Sequence, residues 1–423
     1  MNGLRLFVLS SLLLLVALPV EAQVERIDLE VDIDPGAGTL DATAQLVVAP
    51  PQGTEAVEVL LNRRLAITEV RSDVGLVGFE HVLEGDGPYR YAAQATPVRL
   101  RLAAPADGGS FRIRLKYRGA VEPDAWGVIQ LHERWVELVA AYSGWIPLDP
   151  STTPFAASWR ARLPDDWVVA GTGSPGRSGG WWKAAVESTE DLVLIAAPGL
   201  HRMAIGDSIS ISHVDLPQGV PELIAADAKR VRDTLSQWFG PTTGEGRVEI
   251  VFAQREKGGG YARPGLVVML YQGAYAEDST AGPGFIRYLA HEISHLWWRG
   301  ARTTDWQDWL NESFAEMSAL MILRDEFGEQ EFEDRLARYR EASAAAPPVR
   351  GIDRDEETAY TVLYQKGPVL LAELEQSIGR EAFLRFLRAR IEGAIVTNDG
   401  CLDTLEQVVS VKARNQLDAA LDR

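Results

Sequence analysis

The hydrophobic pattern of this chain changes period once, and that change predicts a multi-domain fold: an N-terminal antiparallel all-β saddle or sandwich, then an α+β, mostly helical domain. The chain has 423 residues, too many for one ordinary core, so two or more domains are expected. From Val24 to about His213, short runs alternate apolar and polar residues between turn signals, the mark of half-buried strands. Beyond the turn-rich stretch Leu216-Pro217-Gln218-Gly219-Val220-Pro221, apolar residues return at helical spacing at Ala225, Ala228, Val231, Leu235 and Trp238. The expected division is residues 1–22 as a leader, 23–215 as the β domain and 216–423 as the second domain.

Taken in order, the leader has a short n-region ending at Arg5, an apolar stretch from Leu6 to Val20, and Ala22 before Gln23. That layout is a secretory signal peptide, and its apolar run is shorter than the ~20 residues a spanning helix needs. An exported protein, periplasmic or secreted, with no stable membrane span after cleavage, is expected; an uncleaved anchor is the alternative. Strands are expected at Ile27–Ile33, Ala56–Leu61, Val98–Leu102, Phe111–Tyr117, Ser158–Leu163 and Ser208–Val214. In the second half, strands at Val248–Ala253 and Leu266–Leu270 precede helices over Phe285 to about Trp298 and Trp309 to about Phe327. The acidic run Asp353–Glu357 reads as a solvated loop.

Composition excludes some function classes. With 42 basic and 60 acidic residues the formal charge is −18, which repels phosphate backbones, so nucleic acid is not an expected partner. Cys401 is the only cysteine and has no partner within the chain for a disulfide. Stability must come from packing and metal.

The chemistry concentrates in His291-Glu292-Ile293-Ser294-His295. On a helix, positions i and i+4 share a face, so both imidazoles can bind one Zn²⁺ while Glu292 reaches the attacking water. A catalytic zinc takes three protein ligands, and Glu312, on the next helix, supplies a third. The His-rich alternative fails because Trp298 and Ala301 stand where a Gly and a third His should follow. Glu316, one turn beyond Glu312, either fixes the tautomer of a ligand histidine or is a solvated charge.

The motif H-E-x-x-H followed by Trp309-Leu310-Asn311-Glu312-Ser313-Phe314-Ala315 resembles the aminopeptidase N (alanyl aminopeptidase) family of gluzincin zinc peptidases. Leu363-Tyr364-Gln365-Lys366-Gly367-Pro368 is similar to that family's Y-x-K-G segment. The resemblance implies a thermolysin-like catalytic domain, one zinc ion, peptide or protein substrates, and a hydroxyl from Tyr364 for the oxyanion, with Tyr360 a weaker candidate. Where the family has G-x-M-E-N, whose Glu pairs with the substrate's free α-amine, this chain has Gly260, Tyr261, Ala262 and Arg263. These are the expected substrate-binding positions, with Ala262 in place of the anchoring carboxylate and Leu266–Leu270 implied as the edge strand beside the peptide. Sixteen residues separate His295 from Glu312, fewer than is usual in the family, so the loop 299–308 must be tightened. The chain also ends at Arg423 without the family's long helical C-terminal domain, which implies a short form with an open cleft.

Two rival readings remain at this level. One is an endopeptidase or other zinc hydrolase using the same site, favoured by Ala262 because selection for a free N-terminus should weaken without a counter-charge. The other is a catalytically degenerate peptide-binding member of the family.

Overall fold

A computed structural model describes residues 23–423 apart from 152, 243–246, 272 and 276–279. The leader over residues 1–22 lies outside the described residues.

The alternating runs of the first half form three sheets. The largest has seven strands in the order Gly176–Ser178, Trp181–Thr189, Phe155–Arg162, Gln23–Asp34, Thr39–Ala49, Phe111–Gly119 and Ala66–Ser72. Gln23–Asp34 shows why it is a strand: Ile27, Leu29, Val31 and Ile33 are buried while Asp28, Glu30 and Asp32 between them face outward. The fold class is as expected, with one refinement: Gln23–Asp34 and Phe155–Arg162 pair parallel, Leu29 opposite Trp159. A parallel pair needs a long crossover, and residues 35–154 supply it by building the other strands. A four-stranded sheet (Trp167–Gly171, Val193–Pro198, Trp135–Val139, Gln130–His132) and a three-stranded one (Ala56–Asn62, Ala95–Leu102, Leu76–His81) complete this half.

The second half opens on a mixed five-stranded sheet in the order His201–Ile205, Ile209–His213, Val248–Phe252, Leu266–Met269, Tyr261–Arg263. The helix Val220–Phe239 is the crossover between the parallel strands Ile209–His213 and Val248–Phe252. Two strands that precede the boundary expected at 215/216, His201–Ile205 and Ile209–His213, thus belong to this sheet. Turn residues at 216–221 gave the stronger local signal, but Ile209 and Ile211 pack in the helical core and pair with Val248 and Ile250.

This sheet is shared between the two cores. Ile250, Phe252, Val267 and Met269 face the helices, whereas Val251, Leu266, Val268 and Leu270 face the β domain. Strands buried on both faces read as continuous apolar runs, which is how Leu266–Met269 appears; in Val248–Phe252 the run is broken by the buried Glu249, paired with Arg202 at 2.8 Å. Among the described residues the helices that follow include Pro283–Ser294, Trp309–Phe327, Glu329–Ser343 and Gly367–Ile378.

Candidate metal centre

The helix Pro283–Ser294 starts after Gly282 with Pro283 in its first turn, where proline's fixed φ and missing N–H cost nothing. It ends earlier than the expected Trp298, with His295 as the C-cap. His295 keeps a right-handed φ of −65° and ψ of −8°, so the two imidazoles still fall one turn apart on one face. The chain then turns, and the carbonyl of Trp298 accepts a hydrogen bond from His295 Nδ1 at 2.9 Å. That early ending gives the second histidine its orienting partner.

Glu312 lies in the first turn of Trp309–Phe327. Its Oε2 is 3.4 Å from the Nε2 atoms of both His291 and His295, and those two nitrogens are 3.3 Å apart. A tetrahedron with metal–ligand bonds of ~2.0–2.1 Å has edges of about 3.3–3.4 Å. Both Nδ1 atoms are committed as donors, to Glu316 Oε2 at 2.8 Å and to the Trp298 carbonyl. Both Nε2 lone pairs therefore face each other, and Glu312 Oε2 is buried without a hydrogen-bond partner. A metal cation between the three atoms relieves that arrangement, as does a proton on the imidazoles when no metal is bound. Burial opposes charge on His291, but Glu312 and Glu316 outweigh it and raise its pKa to about 10, so the site favours positive charge at this point. The residues fit zinc.

Glu316 is buried and bridges three elements. It accepts from His291, from Arg287 Nη1 at 2.7 and 2.8 Å, and from Tyr339. Burial alone would raise its pKa, yet Arg287 and the His291 bond win and hold it down to about 2. It is therefore ionised and fixes the His291 tautomer. Arg287 and Tyr339 were not singled out from the sequence. Arg287 carried a signal, because it sits one turn before His291 on the same helix face.

Glu292 is buried, and its Oε2 has no hydrogen-bond partner. Burial pushes its pKa upward against the nearby histidines, which improves a carboxylate as a base near neutral pH. Against it lies a glycine-rich lip, residues 257–260: a Cβ added to Gly260 would come within 2.6 Å of Glu292 Oε1 and 2.5 Å of the Tyr288 hydroxyl. Only glycine lets the lip approach the base so closely.

Tyr364 stands on the other side, its ring stacked on His291 with centroids 5.6 Å apart, and on Tyr360 at 4.6 Å. It lies within a π-helical turn, Val362–Lys366, continuous with Gly367–Ile378; such turns occur often at functional sites. The turn has a local cause. Gly367 N–H bonds the Val362 carbonyl, and Pro368 has no N–H to offer Leu363. Ser313 Oγ, from the helix of Glu312, donates to the Leu363 carbonyl at 2.6 Å instead. Gly367 makes room, since a Cβ there would meet Ser313 Oγ at 1.9 Å. This contact ties the elements bearing Glu312 and Tyr364 together. Burial and the adjacent Glu312 raise the Tyr364 pKa well above its ordinary value, so the phenol keeps its proton.

The short loop before Glu312 is held by Asn311. Its side chain accepts from Ala301 N–H and donates to the Ala301 carbonyl and to Asp308 Oδ1. Arg354 then pairs with Asp308 at 2.8 Å.

The four expected substrate-binding positions divide by strand alternation. Ala262 packs with the helical core and Gly260 abuts Glu292, so these two face the helical side. Tyr261 and Arg263 do not. The Tyr261 hydroxyl donates to Glu137 at 3.1 Å inside the β-domain core. Arg263 forms an ion pair with Asp191 at 2.8 Å, its guanidinium over the rings of Tyr142 and Tyr261. Their side chains are structural ties between domains. The edge strand is also corrected: Leu266–Met269 is interior, and Tyr261–Arg263 lies at the open edge.

Residues 268–419 match the peptidase family M1 domain. That segment, about a third of the chain, is similar to the family's catalytic domain. Among curated relatives, the probable aminopeptidase 1 of Sulfurisphaera tokodaii is 32% identical over 110 residues, 23% of this chain and 14% of that one. Aminopeptidase M1-A of Oryza sativa subsp. japonica is 29% identical over 122 residues, 26% of this chain and 14% of its own. The matched segment is thus a small part of each relative's length. Solved structures extend the likeness to the whole fold. The M1 zinc metallopeptidase of Deinococcus radiodurans superposes with a TM-score of 0.74 at 20% identity, covering 95% of this chain and 94% of that one. Leukotriene A4 hydrolase of Saccharomyces cerevisiae gives 0.74 at 15% identity, covering 94% and 67%. The helical domain and the β domain before it therefore share their arrangement with these proteins.

Proposed function

We propose that this chain is a zinc-dependent peptidase, aminopeptidase-like in fold, with one zinc ion held by His291, His295 and Glu312. The observation that carries the reading is the near-regular triangle of donor atoms, 3.3 and 3.4 Å on its edges, beside a buried carboxylate with an unpartnered oxygen. When bound, zinc supplies Lewis-acid activation of water and of the scissile carbonyl.

The chain's own residues do the rest. Glu292 Oε takes a proton from the attacking water and delivers it to the departing amine. Its raised pKa suits both halves of that transfer. Tyr364 keeps its proton and donates a hydrogen bond to the oxygen that gains charge. Glu316 holds His291 in the tautomer whose Nε2 faces the site, and Gly260 brings the edge of the sheet against Glu292 to carry the peptide.

Glu292→Gln should abolish turnover while zinc content stays at one per chain by elemental analysis; retained turnover would remove Glu292 from this role. The family's amine-pairing glutamate position is Ala262 here, so selection for a free N-terminus is weak and blocked or internal peptides are accepted as well. Comparing matched free and N-acetylated peptides tests this: a preference of 100-fold or more for the free amine, on the order of a lost charge pair, would show that another group anchors it.

The protein is further proposed to be exported, on the signal-like first 22 residues. Among the described residues no helix is long and apolar enough to cross a membrane. N-terminal sequencing of the mature protein should begin at Gln23.

A further inference from the structure

A buried ion pair between the two domains stands outside the chemistry above. Glu137 lies on the strand Trp135–Val139 of the β domain, and Arg255 follows the strand Val248–Phe252 of the five-stranded sheet. Both side chains are fully buried, with Arg255 Nε 3.2 Å from each Glu137 oxygen. Taking two charges out of water costs several kcal/mol per ion, and an apolar pair of similar size often packs as well. A pair kept at that cost calls for a positional role.

The remaining donors of Arg255 show what it positions. Nη1 donates to the Lys257 carbonyl at 2.6 Å and Nη2 to the Gly259 carbonyl at 2.7 Å. These carbonyls belong to the glycine lip, which at Gly260 lies against Glu292. A trans peptide points its N–H opposite to its C=O. Fixing the Gly259 carbonyl on Arg255 therefore turns the Gly260 N–H away from Arg255. The Glu137 carboxylate is itself aimed by Trp135 Nε1 at 3.0 Å and by the Tyr261 hydroxyl at 3.1 Å, and Tyr261 is the first residue of the edge strand. One carboxylate of the β domain thus sets both the lip and the strand that follows it.

We propose that Glu137 and Arg255 are positioning residues for peptide binding, through which the N-terminal β domain shapes the substrate-binding lip of the helical domain. The inference rests on the metallopeptidase reading and is tested by binding, so that it does not depend on turnover. Two probes are titrated into zinc-loaded full-length protein: acetohydroxamate, which reads the metal centre alone, and a peptidyl hydroxamate, which also lies along the lip. Glu137→Gln keeps shape and removes the charge, Arg255→Met removes the fork, and Arg255→Lys keeps the charge but only part of the fork.

The peptidyl probe should weaken tenfold or more in Glu137→Gln and Arg255→Met, with acetohydroxamate binding and zinc content unchanged and Arg255→Lys intermediate. Unchanged binding of both probes overturns the positioning role and leaves the peptidase reading standing. Equal weakening of both probes also overturns it, because the pair would then be a general structural support. Failure of acetohydroxamate to bind the parent protein refutes the metal site itself, and this inference with it, whereas failure of the peptidyl probe alone overturns only this inference. Should Arg255→Met not fold, Tyr261→Phe removes one of the bonds that aim Glu137 and should weaken the peptidyl probe severalfold; no change there or in Glu137→Gln rejects the proposal.

Discussion

Glu316 shows how one side chain decides the quality of a metal site without touching the metal. Its carboxylate is ionised because Arg287 outweighs burial, and its bond to His291 Nδ1 leaves Nε2 as the free lone pair. Replacing such a partner typically costs about 10–100-fold in metal affinity. Glu316→Gln should fall in that range in a competition titration against a chelator, with the fold retained. In the sequence, Glu316 was one of two equal readings, since an acidic residue on a helix is more often solvated. What settled it was the crossing of two helices, and that crossing depends on packing far from both residues. His291, His295 and Glu312 were legible because their relation is periodic or rests on a local motif. Arg287 and Tyr339, which complete the same cluster, were not, because no short spacing links Tyr339 to Glu316.

At the scale of elements, the site depends on the contact between the Glu312 helix and the π turn of Tyr364. Ser313 Oγ satisfies a carbonyl that Pro368 leaves without a partner. Ser313→Ala would strand that buried carbonyl, at a cost of about 1–3 kcal/mol, read as a lower midpoint in denaturant unfolding. Gly367→Ala is expected to be worse. A methyl group cannot occupy the 1.9 Å between it and Ser313 Oγ, so one helix must shift, at a cost of about 1–3 kcal/mol or more. Because that shift moves Tyr364 relative to Glu312, kcat should fall further than stability predicts, while zinc content holds. The Y-x-K-G resemblance put Tyr364 near the metal. It did not reveal the π turn, which arises from Gly367 and Pro368 acting against a neighbouring helix.

At the scale of the whole molecule, the five-stranded sheet serves both cores, so the metal centre and the global fold are linked. The zinc helix packs on this sheet's helical face, and Glu137 and Arg255 reach across its other face. A ligand bound only by the native state stabilises by RT ln(1 + [L]/Kd), about 4 kcal/mol at a thousandfold excess over Kd. Chelation should therefore lower Tm measurably, and added zinc should restore it. Cys401 offers an independent reporter. Burial pushes its thiol up to about 11, so an alkylating reagent should label it slowly in the holoprotein and faster once chelation raises the population of open states. Rapid labelling of the zinc-loaded protein would contradict its burial.

The sequence by itself determined the fold class and named the candidate metal ligands and base, because these follow from local signals: period two for strands, 3.6 for the helix that sets His291 one turn from His295, and a short motif around Glu312. It misplaced the edge strand, and it did not show that the side chains of Tyr261 and Arg263 tie into the β domain. Those errors share one physical cause. Which strand pairs with which, and which face of a shared sheet meets the metal, are set by contacts between residues far apart in the chain. Only the tertiary structure, by burying both faces of that sheet, decided that Ala262 and Gly260 face the zinc helix while Tyr261 and Arg263 bind the β domain.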